Sequence, residues 1–306
     1  MTSLIHQPAQ IARANGIDIC YEIFGDAKAE PMLLIMGLGA QMVLWDDEFC
    51  ERLAARGFRV IRFDNRDIGQ SSKLSGGKRL TAVELLKLRF LRIPVAAPYK
   101  LSDMAQDTVG LMDALGIRSA HLVGASMGGM IAQEVAISFP ARVRSLTSIM
   151  STTGNPKVPP PTREASAMLM APPPATKEEY LARFSQTWKL LRVGSFPQDE
   201  ARDRARAELC FSRGLNPAGV GRQLRAIFAS GSRKERLGAV KAPTLVIHGT
   251  VDPLVHPMGG KDTAASIPGA KLLMIEGMGH ALPYELWPQT INAIAAHAQG
   301  AAAKAA

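Results

Sequence analysis

His121-Leu122-Val123-Gly124-Ala125-Ser126-Met127-Gly128-Gly129-Met130 is the stretch on which the fold turns. An apolar run of strand length, Ala120 to Gly124, stops at a glycine. Three residues later a helical pattern begins that extends from Met127 to Phe139 and stops at Pro140. A serine at so sharp a strand-to-helix turn sits in a strained backbone conformation, and side chains two positions to either side would collide with neighbouring backbone. Gly124 and Gly128 remove those side chains, and Gly129 lets the new helix lie close to the sheet. The start of that helix also aims free N–H groups at the place where negative charge develops during acyl transfer. On its own the pentapeptide reads equally as a glycine-rich turn. A serine hydroxyl is a weak nucleophile until a histidine accepts its proton and a carboxylate orients that histidine, so the partners decide.

Working outward, short apolar runs recur: Pro31 to Met36, Phe58 to Phe63, Val143 to Ile149, Pro243 to His248 and Lys271 to Ile275. Such runs fit strands buried on both faces. Helical patterns lie between them, at Asp46 to Arg56 and at Ser102 to Leu115, the latter with Ser102 as its N-cap. Asn15-Gly16 before the β-rich Ile17 to Phe24 predicts a hairpin at the start of the chain. Alternating strands and helices imply a mostly parallel central sheet flanked by helices. Between about Ser151 and Val240 the alternation fails, and a proline-rich loop leads into charged amphipathic helices. The reading is a core formed by residues 1–150 and 241–306, with an inserted helical cap at 151–240. The alanine-rich tail after Gly300 is expected to fray.

Two further residues follow strand-like runs. Asp252 stands in His248-Gly249-Thr250-Val251-Asp252-Pro253, after Thr244 to Ile247, and His280 in Glu276-Gly277-Met278-Gly279-His280, after Lys271 to Ile275. In a parallel sheet the C-terminal ends of strands share one edge, so both residues are expected to meet Ser126 there. The chain order is Ser, Asp, His.

On these motifs the chain resembles the α/β-hydrolases over residues 10 to 298. Phe63-Asp64-Asn65-Arg66-Asp67-Ile68-Gly69-Gln70-Ser71 is similar to the family's turn after the fourth strand, with Asp67 where glycine is more usual. With Met36-Gly37-Leu38-Gly39 and Trp45 to Cys50, it resembles the branch that contains aclacinomycin methylesterase. The resemblance implies Ser126 as nucleophile, Asp252 as acid and His280 as base. Where many relatives carry His-Gly after the third strand this chain has Met36-Gly37, which leaves open how that loop is braced. Because oxyanion holes use backbone N–H groups, Leu38 and Met127 are the expected donors. Asp64 is the alternative acid, although the family pattern makes it structural. Haloalkane dehalogenases and epoxide hydrolases of this fold carry Asp at the elbow, so Ser126 points instead to acyl chemistry.

Composition narrows the rest. The 306 residues are 47% apolar and 21% charged, which fits an ordinary globular protein. Of the formal charge of +9, residues 151–240 carry a net +7, from 15 Lys and Arg against 8 Asp and Glu. Spacings such as Glu200 with Arg204 and Arg204 with Glu208 place part of that charge on solvated helix faces, and no nucleic-acid partner is expected. Cys20, Cys50 and Cys210 form neither a disulfide framework nor a metal motif. No leader and no membrane-length apolar run is evident, so a cytoplasmic protein without membrane insertion is expected. With no phosphate-binding glycine fingerprint, no cofactor and no metal are expected.

The functional expectation is a carboxylesterase acting on a small-molecule substrate, a small to medium apolar ester, through an acyl-enzyme on Ser126. Met168, Trp188, Phe211 and Phe228 from the cap, with Leu254, are expected to line its pocket. The same triad serves lactonases, methylesterases and cofactor-free haloperoxidases or perhydrolases, and a non-catalytic small-ligand receptor is the alternative of another class. His121, opening an apolar strand, reads as a structural residue, while His248 and His256 flank the proposed acid.

Overall fold

Asn15 and Gly16 both take positive φ, 48° and 78°, the backbone that a tight two-residue hairpin turn requires. In the computed structural model they join β1 (His6–Ala14) to β2 (Ile17–Phe24), which pair antiparallel. The structure describes residues 6–76, 81, 83–84, 86, 93, 95–193 and 196–305. The remaining strands are β3 (Glu30–Ile35), β4 (Phe58–Phe63), β5 (Ala120–Ala125), β6 (Val143–Ile149), β7 (Thr244–Gly249) and β8 (Lys271–Ile275). Together they form one eight-stranded sheet in the order β1-β2-β4-β3-β5-β6-β7-β8, parallel from β4 to β8.

The helices are α1 (Asp47–Ala54), α2 (Leu101–Ala114), α3 (Met127–Ser138), α4 (Arg163–Met170), α5 (Lys177–Arg192), α6 (Glu200–Ser212), α7 (Pro217–Ser230), α8 (Met258–Ser266) and α9 (Trp287–Ala305). Alternate side chains of a strand face opposite sides of a sheet, and β3 shows how both faces become core. Leu33 and Ile35 pack with Met104, Leu111 and Ile131 of α2 and α3, whereas Met32 and Leu34 pack with Phe49 and Leu53 of α1 and Ile291 of α9. Helices α4 to α7 are inserted between β6 and β7.

Two local expectations are corrected. Ser102 is not the N-cap of α2; Lys100 is, because Asp103 reaches back to accept its backbone N–H at 2.7 Å and lets the helix begin at Leu101. The tail is not irregular after Gly300: α9 continues to Ala305 and buries Ala298 and Ala301 along its inner face, on residues of high helix propensity.

The basic excess of residues 151–240 divides between solvent and core. Arg204 pairs with Glu208 on an exposed face at 3.1 Å, as the spacing predicts. Other arginines instead point into the core: Arg206 meets Asp46, Arg213 meets Asp64 at 2.6 Å, and Arg222 grips Asp67 at 2.7 and 2.9 Å. Asp67 has φ of 73° and also accepts the Tyr99 hydroxyl at 2.7 Å. The aspartate that departs from the family turn is therefore the socket into which the inserted helices plug. Cys20, Cys50 and Cys210 are free and buried. Among the described residues, no helix is long and apolar enough to cross a membrane.

Candidate active site

Strand β5 delivers Ser126 at its C-terminal end, with φ 55° and ψ −119°, before α3 begins at Met127. A non-glycine residue held there carries strain of about 1–3 kcal/mol, which survives only where neighbours over-determine the turn. The glycines supply that constraint. A Cβ on Gly124 would strike the Gly128 carbonyl, and one on Gly128 would strike the Ile35 carbonyl. No other residue fits either position without moving backbone.

Parallel register then brings the other two residues to the same edge, because β5 is linked through β6 to β7 and β8. His280 Nδ1 lies 2.7 Å from Asp252 Oδ2, and the second carboxylate oxygen accepts the N–H groups of Leu254 at 2.9 Å and Val255 at 2.8 Å. A carboxylate only accepts, so a neutral His280 keeps its proton on Nδ1 and leaves Nε2 as a base. Burial alone would push the Asp252 pKa up. The charge of His280 and hydrogen bonding from His248 and His280 outweigh that penalty and hold it well below the usual carboxylate range. Asp64, the alternative acid, is tied elsewhere, to Arg213 and to the N–H groups of Met42 and Gln70.

Ser126 and His280 line one cavity of about 670 Å³. No hydrogen bond joins their side chains among the described contacts, a looseness common in unliganded sites. Above Ser126 runs the loop after β3, where a Cβ on Gly37 would sit 3.2 Å from the serine Cβ. The backbone N–H groups of Leu38 and Met127 have no partner among the described residues, Met127 because it opens a helix. Free donors flanking a serine are what a developing oxyanion needs.

The bracing of that loop was invisible in the sequence. Asn65 donates to the Met36 carbonyl at 2.9 Å. Gln223, fully buried on α7, accepts the Gly39 N–H at 2.9 Å and donates to the Arg66 carbonyl at 2.9 Å. An inserted helix thus holds the loop that the family often braces with histidine. Gln223→Leu is expected to lower kcat by about tenfold to a hundredfold with KM little changed, as donors drift from the reacting oxygen. Steady-state kinetics on an ester check this, and an unchanged kcat would remove Gln223 from the site.

Of the predicted pocket residues, Met168, Trp188 and Leu254 line the cavity, as does Leu38. Phe211 and Phe228 lie outside the lining. Phe211 packs against Tyr180 at 5.8 Å between ring centroids, and Phe228 packs against Val95 and Leu224. The side chain of Met127 is buried in the core beneath the cavity. Trp45, Phe49 and Trp287 complete an aromatic wall that the apolar residues of the cap did not reveal, since these three come from the core.

The other histidines fall into place. His121 is buried and satisfied, with Nδ1 2.8 Å from Ser145 Oγ and Nε2 3.0 Å from Glu30. Burial, only partly offset by Glu30, pushes its pKa down. His256 accepts the Met258 N–H at 3.2 Å, and His248 is fully buried beside Asp252. Among the described residues no group of three or more His, Cys, Asp or Glu is placed to hold a metal ion.

Known proteins are similar to this chain in sequence or in fold. The rhodomycin D methylesterase DauP of Streptomyces sp. (strain C5) is 31% identical over 96% of this chain and 99% of its own. The enol-lactonase from Burkholderia xenovorans LB400 superposes with a TM-score of 0.73 at 21% identity, over 94% of this chain and 99% of that one. A meta-cleavage product hydrolase from Pseudomonas fluorescens IP01 gives 0.75 at 20%, over 95% and 98%. The family described as alpha/beta hydrolase fold matches residues 30–285, and with a sheet, an elbow and an insertion of this form the chain belongs to that family.

Proposed function

We propose that the protein is a serine esterase that cleaves carboxylic esters with a bulky apolar acid part and a small alcohol. The observation that carries this reading is the Asp252–His280 contact at 2.7 Å, with His280 on the wall of the cavity that Ser126 also lines. His280 Nε2 takes the Ser126 proton as Oγ attacks the ester carbonyl carbon, and Asp252 stabilises the imidazolium that forms. The N–H groups of Leu38 and Met127 hold the oxyanion. As the tetrahedral intermediate collapses, the C–O bond to the alcohol breaks and His280 returns the proton to the leaving oxygen. Water, deprotonated by the same histidine, then releases the acid and regenerates Ser126.

The cavity supports the substrate class. Its size suits a molecule much larger than a short acetate, and Met, Leu, Trp and Phe make up much of a lining that also includes Arg183 and Arg192. Asp46 and Arg206, two of its charged lining residues, neutralise each other. The methylesterases at 31% identity support a small leaving alcohol. The helices of residues 151–240 act as the cap that supplies Met168 and Trp188.

A chromogenic ester series from acetate to dodecanoate, run beside methyl esters of bulky apolar acids, tests this. Turnover is expected to rise with acyl size before it falls, and a serine-reactive phosphonate is expected to label Ser126. Absence of both turnover and labelling would overturn the proposal in favour of a ligand-binding role.

A further inference from the structure

His248 has no part in the mechanism above, yet it stands against its acid. The ring lies at the end of β7 and is fully buried. Its Nε2 is 2.8 Å from the Val255 carbonyl and 3.4 Å from Asp252 Oδ2. A carbonyl only accepts, so Nε2 carries a proton. Nδ1, by contrast, is buried with no hydrogen-bond partner. The neutral ring therefore carries its proton on Nε2, where the carbonyl accepts it, and not on Nδ1, where a buried N–H would go unsatisfied.

From that tautomer a role follows. Asp252 Oδ2 sits between two imidazole N–H groups, His280 Nδ1 at 2.7 Å and His248 Nε2 at 3.4 Å, while Oδ1 is fixed by Leu254 and Val255. His248 also ties the far end of that same turn, at Val255, to β7. We propose that His248 is a positioning residue for the candidate acid: it fixes the carboxylate rotamer so that Oδ2 faces His280. The space for the ring is kept by Gly260 of α8, where a Cβ would lie 2.5 Å from His248 Nδ1. Asp252 faces the ring and His280 lies on the far side of that carboxylate.

The role rests on the esterase reading, so one readout is independent of turnover. In wild-type protein, imidazole ¹⁵N shifts are expected to show the neutral His248 ring with its proton on Nε2. A neutral ring with its proton on Nδ1 instead overturns the proposal even if no ester is ever cleaved. Kinetically, His248→Leu is expected to lower kcat by about a hundredfold with little change in KM, the cost of a base displaced by about an ångström. His248→Gln, which keeps a donor at similar reach, is expected to restore kcat to within about threefold of wild type. Equal activity of wild type and a folded His248→Leu would overturn the proposal. If that variant does not fold, the ¹⁵N tautomer and the glutamine variant still decide it. Failure of wild type itself to cleave any ester refutes the esterase reading alone.

Discussion

Ser126→Ala is expected to lower kcat for ester hydrolysis by about 10³-fold to 10⁶-fold, with the folded state intact. On the proposed mechanism Oγ forms the acyl bond, from the elbow where β5 ends and α3 begins. What survives is the contribution of the Leu38 and Met127 N–H donors and of the cavity, which position an ester for attack by water. Stability should rise slightly or hold, because alanine has no hydroxyl at this turn and its small side chain meets the same φ of 55°. The measurement is a progress curve on the best ester of the series beside a thermal melt, together with phosphonate labelling followed by intact mass. Labelling that persists in Ser126→Ala, or activity within about tenfold of wild type, would move the nucleophile elsewhere.

Asp252→Asn is expected to cost about 10⁴-fold in kcat while the site keeps its shape. Asparagine has one accepting and one donating arm. Leu254 and Val255 point two N–H donors at one arm, so the amide oxygen must face them and the amide NH₂ must face His280. Facing a donor, His280 turns its acceptor nitrogen toward the new amide and its N–H toward Ser126, which is the tautomer unable to take the serine proton. Labelling by the phosphonate should slow in parallel with turnover. The substitution also has a stability signature whose sign follows from the depressed Asp252 pKa. A carboxylate held below its unfolded value of about 3.9 stabilises the fold fully above that pH, and the contribution fades as pH falls toward the folded value. The stability gap between wild type and the asparagine variant should therefore be widest near pH 6 and shrink as pH drops below about 4. Denaturant melts at the two pH values measure it, and a gap that grows on acidification would contradict the assignment.

The sequence by itself determined the strands β2 to β8 to within a residue or two, the turn at Asn15-Gly16, and the elbow around Ser126. These are local facts: apolar run length, glycine sterics and proline stops act over a few residues, and a parallel sheet then forces the ends of β5, β7 and β8 to one edge. That is why Asp252 and His280, 28 positions apart, were legible as partners before any coordinates. Tertiary structure alone decided what surrounds them. Gln223 reaches Gly39 across 184 positions, Arg222 reaches Asp67 across 155, and His248 carries no sign in its sequence context of an orphaned Nδ1. Phe211 and Phe228 looked like pocket residues because aromatic spacing on a helix says which face is apolar, not whether that face meets a cavity or another helix. The same limit hid the charge of residues 151–240: a sequence shows how many arginines there are, whereas only the packing of α6 and α7 on the core shows which are buried against aspartates and which face water.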